Sequence, residues 1–230
     1  TVVLSAGDAN VEAGASLTVD SLTAQSGNVA LGSGTAMGLG DVSASGALAA
    51  TAGTDLTAQT LQSGGDMTLA AGGLANIATA EVGKALSLTA ADAVLGQATV
   101  GGTSTITVDN DLRIDTLAGG DTLTAQAGHD ATLGTVVLSA GDANVEAGES
   151  LTVNSLTAQS GNVALGSGTA MALGEVSASG ALAATAGTDL TAQTLQSGGD
   201  MTLAAAGAMT LSSANAGGDI TATAGDALRF

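Results

Sequence analysis

The sequence contains no cysteine, proline, tryptophan or tyrosine, and its only aromatic residue is Phe230. Without cysteine, neither a disulfide framework nor a thiolate metal site can form. Without aromatic side chains, the interior must be filled by small aliphatic groups, because aromatic rings supply the largest buried surfaces of ordinary cores. The sequence therefore predicts a narrow interior built from Ala, Leu and Val.

Positively charged residues are also scarce, with three Lys and Arg against 21 Asp and Glu and a formal net charge of -18. Such a surface repels phosphate backbones and sulfated glycans, so we expect no binding of nucleic acid or heparin by this segment. A catalytic triad needs a base beside its nucleophile, and the chain offers only His129 and Lys84, about two turns apart. We therefore predict no catalytic residues, no cofactor and no enzymatic activity.

A long internal duplication is the first feature that the sequence does contain. Residues 1–73 and 135–207 differ at only five positions. Positions expected to face inward and outward are copied equally well, which indicates a recent duplication rather than a packing requirement. The substitutions are Ala15 to Glu149, Asp20 to Asn154, Gly38 to Ala172, Asp41 to Glu175 and Gly72 to Ala206.

A shorter unit of about 19 residues recurs inside the duplicated block. Each unit contains three short stretches in which apolar and polar residues alternate, a pattern typical of half-buried strands. The frequent glycines leave no room for a helix of ordinary length, and they indicate many tight turns with positive φ. The units begin at Gly7, Gly27, Gly46, Gly65, Lys84, Thr103, Asp121 and Gly141, and the second copy continues from Gly161, Gly180, Gly199 and Gly218.

The connections within a unit are too short for its strands to pair with one another. Each strand must therefore pair with its equivalent in the next unit, in parallel and in register. The sequence predicts an all-β fold, a right-handed parallel β-helix (β-solenoid) with about 19 residues and three short strands per coil and about 12 coils. We expect residues 1–230 to form a single solenoid segment, an excerpt of a longer repeat shaft.

The phrases "GGDMTLAAGG", "GTDLTAQTLQSGGD" and "GNVALGSGTA" resemble the coil repeats of the filamentous haemagglutinin family, the large exoproteins of two-partner secretion. The resemblance extends over essentially the whole chain. It implies the structural shaft of a secreted or surface-exposed bacterial filamentous adhesin, which presents adhesive regions away from the cell. The family's Asn-Pro-Asn secretion motifs are absent, as is an Arg-Gly-Asp triplet.

The same resemblance implies the partners. Host-cell receptors or glycans would bind other parts of the parent protein, and an outer-membrane secretion partner would act during export. Because cutting a solenoid between coils exposes unpaired backbone groups, we also expect possible end-to-end self-association of the fragment.

Acidic residues gather at one expected corner of adjacent coils. Aligning the units places "DND" at residues 109–111 beside "GHD" at residues 128–130, with Glu149 on the next coil and Asp92 on the one before. Carboxylates stacked in this way can hold a hard cation, whereas Asp and Asn also suit turns and are commonly solvated there. We favour solvation and predict no metal site; the candidate cluster is Asp109, Asp111, His129, Asp130 and Glu149.

Two further alternatives concern the outward faces. A solenoid face can bind glycans or ice, but regular ice-binding rows of Thr are interrupted here, because Gly38, Ala172 and Arg113 occupy positions equivalent to Thr18 and Thr191. A calcium-stabilised repeat module is the remaining alternative. We expect Arg113 to form exposed ion pairs with Asp111 and Asp115, and Lys84 to be solvated at a corner. These list the outward residues whose placement the fold can test.

Overall fold

A computed structural model describes residues 1–230 and contains β-strands joined by short turns, with no helix. The residues form two compact units, Thr1–Asp109 and Asn110–Phe230. Each unit contains six short strands, one per turn, so that the chain winds through about twelve turns. No helix of the kind that crosses a bilayer is present.

The first unit has twelve strands: β1 Val2–Leu4, β2 Ala9–Ala13, β3 Leu17–Ala24, β4 Val29–Ser33, β5 Met37–Ala44, β6 Leu48–Ala52, β7 Leu56–Ser63, β8 Met67–Ala71, β9 Leu74–Val82, β10 Leu86–Ala90, β11 Asp92–Val100 and β12 Ser104–Val108. The odd-numbered strands follow the order β1-β3-β5-β7-β9-β11 in one sheet, and the even-numbered strands follow the order β2-β4-β6-β8-β10-β12 in another.

The second unit has thirteen strands: β13 Leu112–Gly119, β14 Leu123–Ala127, β15 Ala131–Leu138, β16 Ala143–Ala147, β17 Leu151–Ala158, β18 Val163–Ser167, β19 Met171–Ala178, β20 Leu182–Ala186, β21 Leu190–Ser197, β22 Met201–Ala205, β23 Met209–Ala216, β24 Ile220–Ala224 and β25 Leu228–Arg229. The same separation holds, with odd-numbered strands in one sheet and even-numbered strands in the other.

All strand pairs are parallel and join equivalent residues of consecutive turns. Leu56 pairs with Met37, 19 residues earlier, and Leu86 pairs with Ser104, 18 residues later. This confirms the expected parallel β-solenoid with about 19 residues per turn. It also corrects one unit boundary, since Lys84 corresponds to Gly102 and not to Thr103: the Gly102 N–H donates to the Lys84 carbonyl at 2.7 Å.

Each turn is divided into two strands rather than three. The expected second and third strands run on as one strand of eight or nine residues in most turns. In β17, Val153 and Leu156 both point into the interior, and the two residues between them, Asn154 and Ser155, are turned outward. This double outward step marks a bend in a continuous strand, which is why the separation of the apolar residues in the sequence suggested two strands.

The interior is aliphatic, as the composition predicted. Stacked Leu, Val, Ile, Met and Ala side chains fill it, and the largest of them, such as Met67 and Leu56, are fully buried. Large and small residues alternate along a stack: Leu31, Ala50 and Leu69 occupy one register position in consecutive turns. Such alternation lets side chains from neighbouring turns interdigitate at the density of ordinary cores.

The glycines serve a purpose other than the one expected. Only Gly7, Gly27 and Gly141 have positive φ, so the prediction of many left-handed turns was wrong. At most corners the backbone of one turn lies directly against the next: a Cβ on Gly64 would contact the Ser45 carbonyl oxygen, and one on Gly198 would contact that of Ser179. Glycine is required there because the turns stack closely.

Candidate functional site

The acidic corner is the first candidate site, and in the second unit the structure shows how its residues are used. The Asp130 N–H donates to Asp111 Oδ1 at 3.2 Å, and the Ser150 N–H donates to Asp130 Oδ1 at 2.9 Å. The alignment of "DND" with "GHD" is thus confirmed for residues 110, 111, 129 and 130. Both carboxylates accept hydrogen bonds from the backbone of the following turn.

The remaining residues of the candidate cluster contribute their backbones. The His129 N–H donates to the Asn110 carbonyl at 3.0 Å, and the Glu149 N–H donates to the His129 carbonyl at 2.9 Å. Asp109 lies in the first unit, where its N–H donates to the Ala90 carbonyl at 3.1 Å. No group of three or more His, Asp or Glu side chains is placed to hold a metal ion. Independence from metals stays a prediction.

The hydrogen bond at Asp111 and Asp130 belongs to a series that recurs through both units. We call it the corner bond: an Asp or Asn directly before a strand accepts, through Oδ1, the N–H of the equivalent residue one turn later. In all cases the acceptor lies on the earlier turn. The pairs are Asp8–Asn28, Asn28–Ala47, Asp55–Leu74, Asp66–Ala85, Asp111–Asp130, Asp130–Ser150, Asp142–Asn162, Asn162–Ala181, Asp189–Ala208 and Asp200–Asp219.

Sequence reasoning missed the corner bond because it assigned these residues to solvated turns with positive φ. No residue other than glycine has positive φ. The available signal was position: Asp or Asn stands immediately before the first inward apolar residue of a strand, as in Asp55-Leu56 and Asp66-Met67. A short side chain at that point reaches backbone groups at a strand end. The acidic character of the chain is thus partly structural.

The outward faces carry polar side chains in register. In the first unit, Gln62 Nε2 donates to Glu81 Oε2 at 2.6 Å on the outer face of the long strands. These two side chains line a shallow groove of about 440 Å³ together with Ser43 and Thr99. The second unit has a smaller depression of about 180 Å³ around Ser177 and Gln196 on the equivalent face. These grooves offer hydroxyl, amide and carboxylate groups.

The expected interruption of the threonine rows is confirmed by the register. Thr18 pairs with Gly38, which pairs with Thr57. In the second unit Ala172 stands between Thr152 and Thr191 in the same row. A lattice of evenly spaced Thr hydroxyls is therefore not formed on this face.

The scattered cations lie where the sequence placed them. Arg113 Nε and Asp115 Oδ1 are 2.7 Å apart, and both side chains are largely exposed. Such a pair contributes ~0.2–1 kcal/mol at most. Lys84 is exposed at a corner of the first unit. Neither cation is close enough to a nucleophilic side chain to form a hydrogen bond that the structure records.

Parallel strands that pair only with their equivalents in adjacent turns define a β-solenoid repeat protein. The comparison with known families is more specific. Residues 26–78 and 160–224 match the family described as repeats of unknown function (DUF5649), and the chain belongs to this family. The two matches start at equivalent positions of the duplication. Neither a curated protein nor a solved structure matches the chain.

Proposed function

We propose that the chain is a structural spacer: a shaft segment of a secreted or surface-exposed bacterial filamentous adhesin, which holds adhesive regions away from the cell. The observation that carries the proposal is pairing restricted to adjacent turns, together with a duplicated block of whole turns. β6 pairs only with β4 and β8, and β20 pairs only with β18 and β22. Such a protein can be lengthened by whole turns without rebuilding a shared core.

The finer geometry is part of the same proposal. We propose right-handed winding, because crossovers between parallel strands are right-handed in nearly all proteins. We also propose that the bend within each long strand separates two faces, so that a turn has three faces in cross-section. A crystal structure at a resolution that shows the carbonyl oxygens would decide both points.

The partners follow from the resemblance to filamentous haemagglutinins and remain proposals. Receptors or glycans would bind other parts of the parent protein, and an outer-membrane partner would export the chain. For the 230-residue chain alone we propose end-to-end association, because Val3 and Phe230 in its end turns are 57% and 82% exposed. Light scattering that shows a concentration-independent monomer would contradict this association.

Removing one whole turn tests the spacer at the level of folding. Residues 46–64 form one turn with β6 and β7, and their deletion joins Ser45 to Gly65 in the register that Ser45-Gly46 has now. We expect this variant to fold, with β-rich circular dichroism and a cooperative melting transition. Deleting residues 46–54 removes β6 alone and should prevent proper folding, because β7 would then follow β5 directly. Equal behaviour of the two variants would contradict pairing between turns.

The functional test uses bacteria that produce the parent protein. Deletion of residues 46–64 should leave surface display and adhesion unchanged, because a spacer needs only its continuity. The identical turn at residues 180–198 provides a matched deletion in the second copy. Loss of adhesion with normal display after either deletion would show that the turn itself binds a ligand, and the spacer role would be wrong.

A second candidate function, a ligand-binding face, is favoured by the groove at Gln62 and Glu81. Its amide, hydroxyl and carboxylate groups suit a neutral glycan, while the net charge of -18 disfavours an anionic one. Binding of the chain to an array of neutral oligosaccharides, lost in Gln62→Ala and kept in the control Gln196→Ala, would support this function. Absence of binding to every neutral oligosaccharide would leave the spacer role alone.

A further inference from the structure

Ser104 is the one buried side chain whose polar atom has no hydrogen-bond partner. It is the first residue of β12 and is 1% exposed, and its Oγ contacts no donor or acceptor. The other buried serines differ in this respect. Ser63 donates to the Gly65 carbonyl at 3.1 Å, and Ser197 donates to the Gly199 carbonyl at 3.0 Å. A buried hydroxyl without a partner loses its hydration and gains nothing in return.

The register shows what Ser104 replaces. Leu48, Met67 and Leu86 occupy the same position in the three preceding turns, and each is buried with at most 1% exposure. Serine is smaller than these residues by several heavy atoms. β12 therefore contributes less apolar surface to the interior than β6, β8 or β10 at its first position.

The corner bond is missing at the same place. Asp66 Oδ1 accepts the Ala85 N–H at 3.1 Å and so ties the turn of β8 to the turn of β10. Ala85 has no side-chain acceptor to offer to Thr103, the residue before β12. Ala47 leaves a similar gap before Asp66, but there Met67 fills the interior. Among the short strands of the first unit, the two deficits coincide only at β12.

We propose that β12 is a built-in weak strand, at which the solenoid of the first unit begins to open. Local stability in a solenoid is the sum of each turn's own stability and its contacts with adjacent turns, so a deficit in one turn is expressed at that turn. An uncompensated buried hydroxyl raises the local opening equilibrium about tenfold, which corresponds to ~1.4 kcal/mol. In a spacer, such a strand would yield before its neighbours when the chain is heated or pulled.

Hydrogen–deuterium exchange of the whole chain, followed by mass spectrometry, tests the proposal. We expect amides of residues 104–108 to exchange about tenfold faster than those of residues 86–90 and 48–52. Equal or slower exchange in β12 would overturn the proposal. Ser104→Ala removes the hydroxyl while adding no bulk and should slow exchange in β12 about tenfold, with no change in β6.

Ser63→Ala is the matched control, because it removes a hydroxyl that has a partner. It should leave exchange around residue 63 unchanged or faster. If Ser104→Ala also accelerated exchange in β12, the Ser104 hydroxyl would be stabilising, through a buried water for example, and the proposal would be wrong. Ser104→Val, which adds apolar volume as well, should slow exchange at least as much as Ser104→Ala.

Discussion

Residues 7–26 and 141–160 are nearly identical in sequence, yet their interiors are buried to different degrees. Leu151 and Val145 in the second copy are fully buried, whereas Leu17 and Val11 in the first are only partly buried. β16 pairs with β14 and β18, but β2 pairs with β4 alone. The burial of a residue in this fold is thus decided by the turns on both sides and not by its own turn.

The same effect is visible within one strand. β1 covers only the second half of β3, pairing with Leu22, Thr23 and Ala24. Leu22 and Ala24 are 2% and 1% exposed, while Leu17, in the uncovered first half, is half-buried. Covering half of a strand therefore buries half of it, as expected when contacts reach only adjacent turns.

The largest effect that separates the two copies should come from overfilling the interior. Leu151→Trp places an indole ring between two turns and should lower the free energy of unfolding by about 3 kcal/mol. Leu17→Trp should cost less than about 1 kcal/mol, because one side of Leu17 is open. Thermal or urea denaturation of the two variants measures the difference. Equal costs would show that burial is set by something other than the adjacent turns.

Adding a single methyl group at a corner should separate the copies next most strongly. A Cβ on Gly148 would contact the Gly128 carbonyl oxygen of the preceding turn, whereas a Cβ on Gly14 has no neighbour within 4 Å. We expect Gly148→Ala to destabilise the protein by roughly 2 kcal/mol. Gly14→Ala should be neutral or stabilise by up to about 1 kcal/mol, because it restricts the unfolded chain.

Melting temperatures of the two glycine variants, measured side by side, check the opposite signs. Destabilisation by Gly14→Ala would mean that this corner is held by a conformation that alanine cannot adopt. Tolerance of Gly148→Ala would mean that the turns can separate slightly at little cost.

The corner bond should show no difference between the copies. Asp8 and Asp142 each accept the N–H of the following Asn at 2.7 Å and a second bond from its Nδ2. Because the partner lies on the later turn, it is present in both copies. Asp8→Ala and Asp142→Ala should each cost about 1 kcal/mol in chemical denaturation. The Asn variants keep an Oδ1 acceptor and should recover most of the loss; unequal costs of the Ala variants would contradict this interpretation.

Much of the fold could be predicted because the solenoid repeats a local rule. Alternation around residues such as Leu56 and Ala58 gives the strand and its inward face, and the fixed spacing gives the parallel register. The continuous strand through Asn154 and Ser155 could not be predicted in the same way. Two outward residues in succession look alike in the sequence whether the backbone turns sharply or only bends.

The candidate site was predicted less completely, for a physical reason. Sequence alignment placed Asp111 beside Asp130, but it could not tell a solvated carboxylate from one that accepts a backbone N–H. That distinction depends on which backbone groups the neighbouring turn leaves unpaired at the corner. The groove at Gln62 and Glu81 was missed for a related reason, since its shape depends on three consecutive turns.

The smallest effect is expected from calcium. Glu149 is one of the five differences between the copies, and Ala15 stands in its place in the first. If Glu149 completed a cation site with Asp130 and His129, calcium would stabilise the protein and Glu149→Ala would abolish the gain. Since Asp130 Oδ1 already accepts the Ser150 N–H, we expect millimolar calcium to raise the melting temperature no more than sodium chloride at matched ionic strength. The same result is expected for Glu149→Ala, and a calcium-specific rise confined to the unsubstituted chain would establish a metal site at this corner.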